Sequence, residues 1–173
     1  MTMRKFHIIG GPGSGKTCVA AQLSQRYGIS TYDLDDIFWD NRDSHYNVRA
    51  PEEQRDAALR EILSKESWII EGPYYRWLRE SFKSADIVIL LTVSVWRRDW
   101  RILRRFAKRK LRLSPSKKKE TFLGQFELLK WNHGYDGDNL LRARAFLAEL
   151  GVKAVECRTL EDVFRAMQNS VRV

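Results

Sequence analysis

Cysteine is scarce in this chain: two among 173 residues. Cys18 and Cys157 stand far apart and at no metal-binding spacing, which argues against a disulfide framework or a zinc module and for free thiols in a reducing compartment. His45 and His133 likewise have no metal-ligand partners in sequence. No apolar run approaches the roughly 20 residues that a bilayer-crossing helix needs. The longest, over 87–93, has the length of a buried strand. The first residues lack the apolar stretch and small-residue cleavage site of a signal peptide. Internal repeats and low-complexity tracts are also missing. The expectation is a soluble, cytoplasmic protein with no membrane partner.

What is present suffices for a core. Hydrophobic residues make up 43% of the chain and aromatics 12%, and the length suits one domain over 1–173. The net charge of +9 is unevenly spread. Twelve lysines and arginines fall between Trp96 and Lys119 against the single acid Asp99, so this segment carries +11 and the remainder −2. A mildly acidic domain with one very basic segment follows.

Strand-like runs at 5–9, 31–34, 68–70, 86–93 and 152–157 alternate with helical stretches, including 17–27, a helix opened by Pro51-Glu52-Glu53, 95–111, 120–132 and 139–151. Thr159-Leu160-Glu161-Asp162 reads as a capping box for a terminal helix. The unbroken apolar strands suit burial on both faces. The predicted class is α/β, a five-stranded parallel sheet with helices on both faces, whose ligands would bind beyond the carboxyl ends of the strands.

The strongest motif sits there. Gly10-Gly11-Pro12-Gly13-Ser14-Gly15-Lys16-Thr17 follows a strand and opens a helix, the setting that G-x-x-x-x-G-K-[ST] requires. Successive loop amides turn toward one anion, and the helix N-terminus adds its partial positive charge. Lys16 is placed for the β/γ-phosphates of ATP and the Thr17 hydroxyl for Mg²⁺. The expected nucleotide-binding set runs from Gly10 through Cys18, although Cys18 also fits a buried structural cysteine of the helix. No Asn-Lys-x-Asp motif follows the later strands, which disfavours a GTP switch.

Two acids at strand ends complement the loop. Glu71 is the candidate for holding the metal side of the site. Asp35 is the candidate for accepting a proton from the phosphoryl acceptor or for binding the metal, with Asp33 and Asp36 as competitors. The region 36–65 is the expected acceptor-binding part, where Phe38, Trp39, Tyr46 and Arg49 offer aromatic faces and a cation, and Phe38 and Trp39 also suit core packing. Arg76 is a further candidate for an acceptor anion.

In the basic helix, Trp96, Trp100, Leu103, Ala107 and Leu111 recur as one apolar face, beside Arg97, Arg101, Arg104, Arg105, Lys108 and Arg112. A lid over about 108–122 would bring Arg101 and Arg105, with Arg104 close behind and Arg97 and Arg109 less favoured, onto the triphosphate. The 96–119 segment is also basic enough for nucleic-acid phosphates.

Together, Gly10 to Thr17, the block Asp33-Leu34-Asp35-Asp36-Ile37-Phe38-Trp39, the block Trp68-Ile69-Ile70-Glu71-Gly72-Pro73-Tyr74-Tyr75 and residues 100–105 resemble the DNA topology modulation (FlaR-like) proteins, adenylate-kinase-related P-loop proteins of bacteria. The resemblance implies a nucleoside-monophosphate-kinase-type fold, an ATP site and phosphotransfer. Two departures stand out: Glu71-Gly72-Pro73-Tyr74 replaces the family's Asp-Gly-Asn-Tyr, and the Asp-Gly-Phe-Pro-Arg pattern of adenylate kinases is absent, so AMP is not carried over as acceptor. The expected activity is a Mg²⁺-ATP-dependent kinase: Lys16, Asp35, Arg101 and Arg105 catalytic, Thr17 and Glu71 on the metal, and Asp35, Phe38 and Arg76 at the acceptor. The alternative is a nucleotide-regulated nucleic-acid-binding protein.

Overall fold

A computed structural model describes residues 4–40, 48–111 and 122–170. Strand β1 (Lys5–Gly10) leads into α1 (Lys16–Tyr27), β2 (Thr31–Asp33), α2 (Leu34–Phe38) and α3 (Glu52–Leu63). Then come β3 (Trp68–Gly72), α4 (Arg79–Ser84), β4 (Ile87–Leu91), α5 (Val95–Lys110), α6 (Phe122–Tyr135), α7 (Asn139–Glu149), β5 (Ala154–Cys157) and α8 (Leu160–Ser170). The sheet order is β2-β3-β1-β4-β5, parallel throughout.

Strand periodicity divides the apolar residues between two cores. Phe6, Ile8, Ile69, Ile87, Ile89 and Leu91 face one side, with Val19, Ala20 and Leu23 of α1 and Val163 and Met167 of α8. Ile9, Trp68, Ile70, Val88 and Leu90 face the other, against Leu59 and Ile62 of α3, Phe82 of α4 and Leu140, Ala143 and Leu147 of α7. Because β1 is central, its carboxyl end has neighbours on both sides. Asp33 pairs in register with Glu71, and Glu71 with Ile8, so the sheet itself sets the two acids next to the loop that follows β1.

Three expectations change. The second strand ends at Asp33, and Leu34 opens the short helix α2, because the Asp33 carboxylate accepts the Asp35 amide at 2.9 Å and caps it. Cys18 is exposed rather than buried. The third concerns α5. Trp96, Trp100, Leu103 and Leu111, which the spacing gathers into one apolar face, are 75%, 67%, 46% and 69% exposed. The buried stripe is instead Arg98, Ile102 and Phe106. An arginine occupies the inner face because its charge is met there: Arg98 Nη1 donates to Asp136 at 2.7 Å and Nη2 to the Asn132 carbonyl at 3.1 Å. Asp99 completes the tie between α5 and α6, accepting from Asn132 Nδ2 at 2.7 Å and pairing with His133 Nε2 at 2.6 Å. Tyr46, His45, Arg112 and Lys117 to Lys119, with most of the expected lid, lie outside the described residues.

Candidate active site

The turn between β1 and α1 has a geometry suited to an anion. Gly13 and Gly15 adopt φ of 69° and 97°, a region costly for residues with a Cβ. α1 starts with no side-chain cap and no acid in its first turn, which leaves its amide donors for a ligand. The Lys16 ammonium donates to the Gly11 carbonyl at 3.1 Å and so lies folded along the loop. Burial lowers its pKa, while the nearby Glu71, Asp35 and Asp33 oppose that effect.

A cavity of about 370 Å³ opens beside this turn. Pro12, Gly13, Gly15, Lys16 and Thr17 form one wall, Asp33, Asp35 and Glu71 another, and Arg101 and Arg105 of α5 reach it from above. Gly10, Gly11 and Ser14 shape the turn rather than line the cavity: Ser14 is buried, and Gly11 accepts both the Ser14 amide and Lys16. Cys18, expected in the nucleotide-binding set, lines no part of it, since a helix turns the residue after Thr17 away from the loop. Arg101 Nη1 donates to the carbonyls of Gly13 and Ser14 at 3.2 and 2.9 Å. Arg104 and Arg97 are exposed and stay outside the cavity.

Glu71 is 4% exposed, and burial raises its pKa; the Thr17 hydroxyl, turned toward it, works in the opposite direction. Asp33 is also raised by burial, against the Asp35 amide that it accepts. Among the described residues no three His, Cys, Asp or Glu side chains converge tightly enough to cage a metal ion by themselves. The oxygen donors Thr17 and Glu71 fit a Mg²⁺ that keeps waters and takes its remaining ligands from phosphates.

A second cavity, of about 760 Å³, adjoins the first. Asp35 lines both, whereas Asp36 lines neither. Phe38, Trp39, Arg49 and Arg76, expected from the sequence at an acceptor site, all line it. Sequence reasoning missed Arg55, Trp77 and Trp131. The Arg55 guanidinium lies over the Trp77 ring at 4.6 Å. Trp131 borders both cavities, a place that depends on how α6 docks and that no local motif signals. Tyr74 donates to Asp35 Oδ1 at 2.6 Å and stacks on Phe38 at 4.4 Å, tying the acid to the aromatic wall. Burial and the adjacent carboxylate push the Tyr74 phenol up, so it remains a donor at neutral pH.

No family model matches the chain. Of the curated proteins, it is similar to the uncharacterized protein YqaC of Bacillus subtilis, 27% identical over 90 residues, which is 52% of this chain. That match spans about half (49%) of the length of the relative. Among solved structures, the chain superposes on shikimate kinase from Bacteroides thetaiotaomicron with a TM-score of 0.60 and 14% identity, covering 99% of this chain and 100% of that one. Shikimate kinase from Acinetobacter baumannii in complex with shikimate gives 0.59 and 17%, covering 99% and 94%. The five-stranded parallel sheet and its flanking helices are thus those of the P-loop kinase fold.

Proposed function

We propose that this chain is an ATP-dependent kinase that transfers the γ-phosphoryl group of Mg²⁺-ATP to a small acceptor. The observation that carries this reading is the position of Asp35, on the border between a phosphate-loop cavity and a larger aromatic and arginine-lined cavity. A phosphoryl donor in the first and an acceptor in the second would meet at a carboxylate. The resemblance of the Asp33–Trp39 and Trp68–Tyr75 blocks to the FlaR-like proteins supports the same reading, as does the fold.

In this mechanism the loop amides and Lys16 hold the phosphates, and Lys16 moves from the Gly11 carbonyl onto the β/γ-oxygens. Thr17 and Glu71 would hold Mg²⁺, which when bound would neutralise phosphate charge. Arg101 and Arg105 stabilise the negative charge of the transferring group, with Arg101 exchanging its two loop carbonyls for phosphate oxygens. Asp35 orients the acceptor and takes its proton, held in place by Tyr74.

The test is Mg²⁺-ATP binding by calorimetry, with ADP release followed over a panel of acceptors. Lys16→Ala removes a charge-assisted contact of about 1.5–3 kcal/mol, so ATP binding should weaken by roughly ten- to a hundredfold and turnover should be lost. Unchanged affinity and turnover in this variant would refute the proposal.

A further inference from the structure

The second cavity has a chemical direction that the phosphate loop leaves unexplained. Asp35, Pro73 and Trp131 line both cavities and therefore mark its inner end, nearest the loop. Arg49, Arg55 and Arg76 line the second cavity alone. Arg55 is engaged: its Nε donates to Asp56 at 2.8 Å, and Nη1 lies 3.9 Å from Glu52. Arg49 and Arg76 have no ion-pair partner among the described residues. Arg49 rests over the Phe38 ring at 5.6 Å, and Arg76 Nε donates to the Tyr75 hydroxyl at 3.3 Å. The one carboxylate acting on Arg76, Asp138, is bonded to Arg142. Two guanidinium groups in one cavity, neither in an ion pair among the described residues, suit an anionic ligand. The wall they share is aromatic: Phe38 stacks on Tyr74 and lies 22° from parallel to Trp77, while Trp39 meets Phe38 edge-on and Trp77 is tilted 48° from Tyr74.

The inner end differs. The Asp35 carboxylate can accept the proton of a hydroxyl, whereas a phosphate placed against it would set like charges together. We infer that the acceptor is a hydroxyl compound with an apolar ring and an anionic group remote from the phosphate loop, held by Arg49 and Arg76, rather than a nucleoside monophosphate that accepts through its phosphate. This inference rests on the kinase reading above. In the transfer, the acceptor oxygen forms its bond to the γ-phosphorus while its proton passes to Asp35. The bond from that phosphorus to the β–γ bridging oxygen breaks, and ADP leaves with the electron pair.

The probes are 4-(hydroxymethyl)benzoate, benzyl alcohol and AMP, each titrated by ligand-observed NMR against the full chain, with phosphorylation followed by ³¹P NMR in Mg²⁺-ATP. The carboxylate-bearing alcohol should bind at least about tenfold more tightly than benzyl alcohol, as expected for charge-assisted hydrogen bonds. It should also be the probe that is phosphorylated. In Arg49→Gln/Arg76→Gln, checked for an intact thermal transition, that tenfold preference should vanish. Equal binding of the two alcohols, preferential phosphorylation of AMP, or a preference that survives the double substitution would each overturn the inference. Mg²⁺-ATP is titrated separately on the same preparation. Absent ATP binding refutes the kinase reading itself, whereas intact ATP binding with the wrong probe preference refutes only the acceptor class.

Discussion

Gly13 concentrates the local demands of the phosphate turn. Its φ of 69° is unfavourable for an L-residue, and a Cβ there would lie 2.6 Å from the Arg98 carbonyl oxygen, a backbone atom of α5 that cannot swing aside. Gly15, at 97°, would meet only the Arg101 side chain, at 3.3 Å. Gly13→Ala should therefore destabilise by about 1–3 kcal/mol and Gly15→Ala by less, read from urea unfolding midpoints. Equal effects would mean that α5 does not lean on the loop. The motif residues themselves were legible in the sequence, since the spacing of Gly10, Gly15, Lys16 and Thr17 is dictated by the amides they present. The choice among Asp33, Asp35 and Asp36 was not legible. Side by side in sequence, they part only when Asp33 caps α2, Asp36 turns away from both cavities and Asp35 faces both.

At the scale of elements, local rules held where the partners were also local. The capping box of α8 forms in both directions, with the Asp162 amide donating to Thr159 Oγ1 at 3.1 Å and the Thr159 amide to Asp162 at 3.0 Å. Helix α5 shows the opposite. Its sequence offers an aromatic and leucine stripe for burial, yet the helix turns Ile102 and Phe106 inward and leaves Trp96 and Trp100 in solvent. The reason is the fully buried Arg98, whose partners, Asn132 of α6 and Asp136 in the turn after it, lie more than thirty positions away. Periodicity counts apolar residues; it has no term for a charge that finds its partner only after folding. Ile102→Ala should cost about 2–4 kcal/mol, while Trp100→Lys should stay within about 0.5 kcal/mol of the parent. Thermal unfolding of the two variants measures this, and a reversed order would restore the aromatic stripe as the inner face.

For the whole molecule, the buried centre of the sheet sets a dependence on pH. His7 of β1 is fully buried, with Nδ1 2.7 Å from Ser81 Oγ and its ring 4.3 Å from that of Phe82. Burial lowers its pKa from 6.5 to about 3. The unfolded chain thus binds a proton that the folded chain refuses between those values, and stability falls as the solution is acidified below pH 6.5. His7 alone should remove about 2 kcal/mol between pH 7 and pH 5. Urea midpoints at the two values, compared with His7→Gln, should show a flatter acid limb in the variant; parallel limbs would exclude His7 as the source. The described residues contain no helix long and apolar enough to cross a membrane.

By itself the sequence determined the strand pattern, the parallel class of the sheet and the glycine-rich turn after β1, because each depends on residues that interact with close neighbours or on periodicity imposed by the backbone. Only the tertiary structure decided which face of α5 is inward, which aspartate borders both cavities and that Trp131, Arg55 and Trp77 line the second cavity. Those choices depend on charges and rings brought together from separate helices, and the energy of such a meeting is written in no single stretch of the chain.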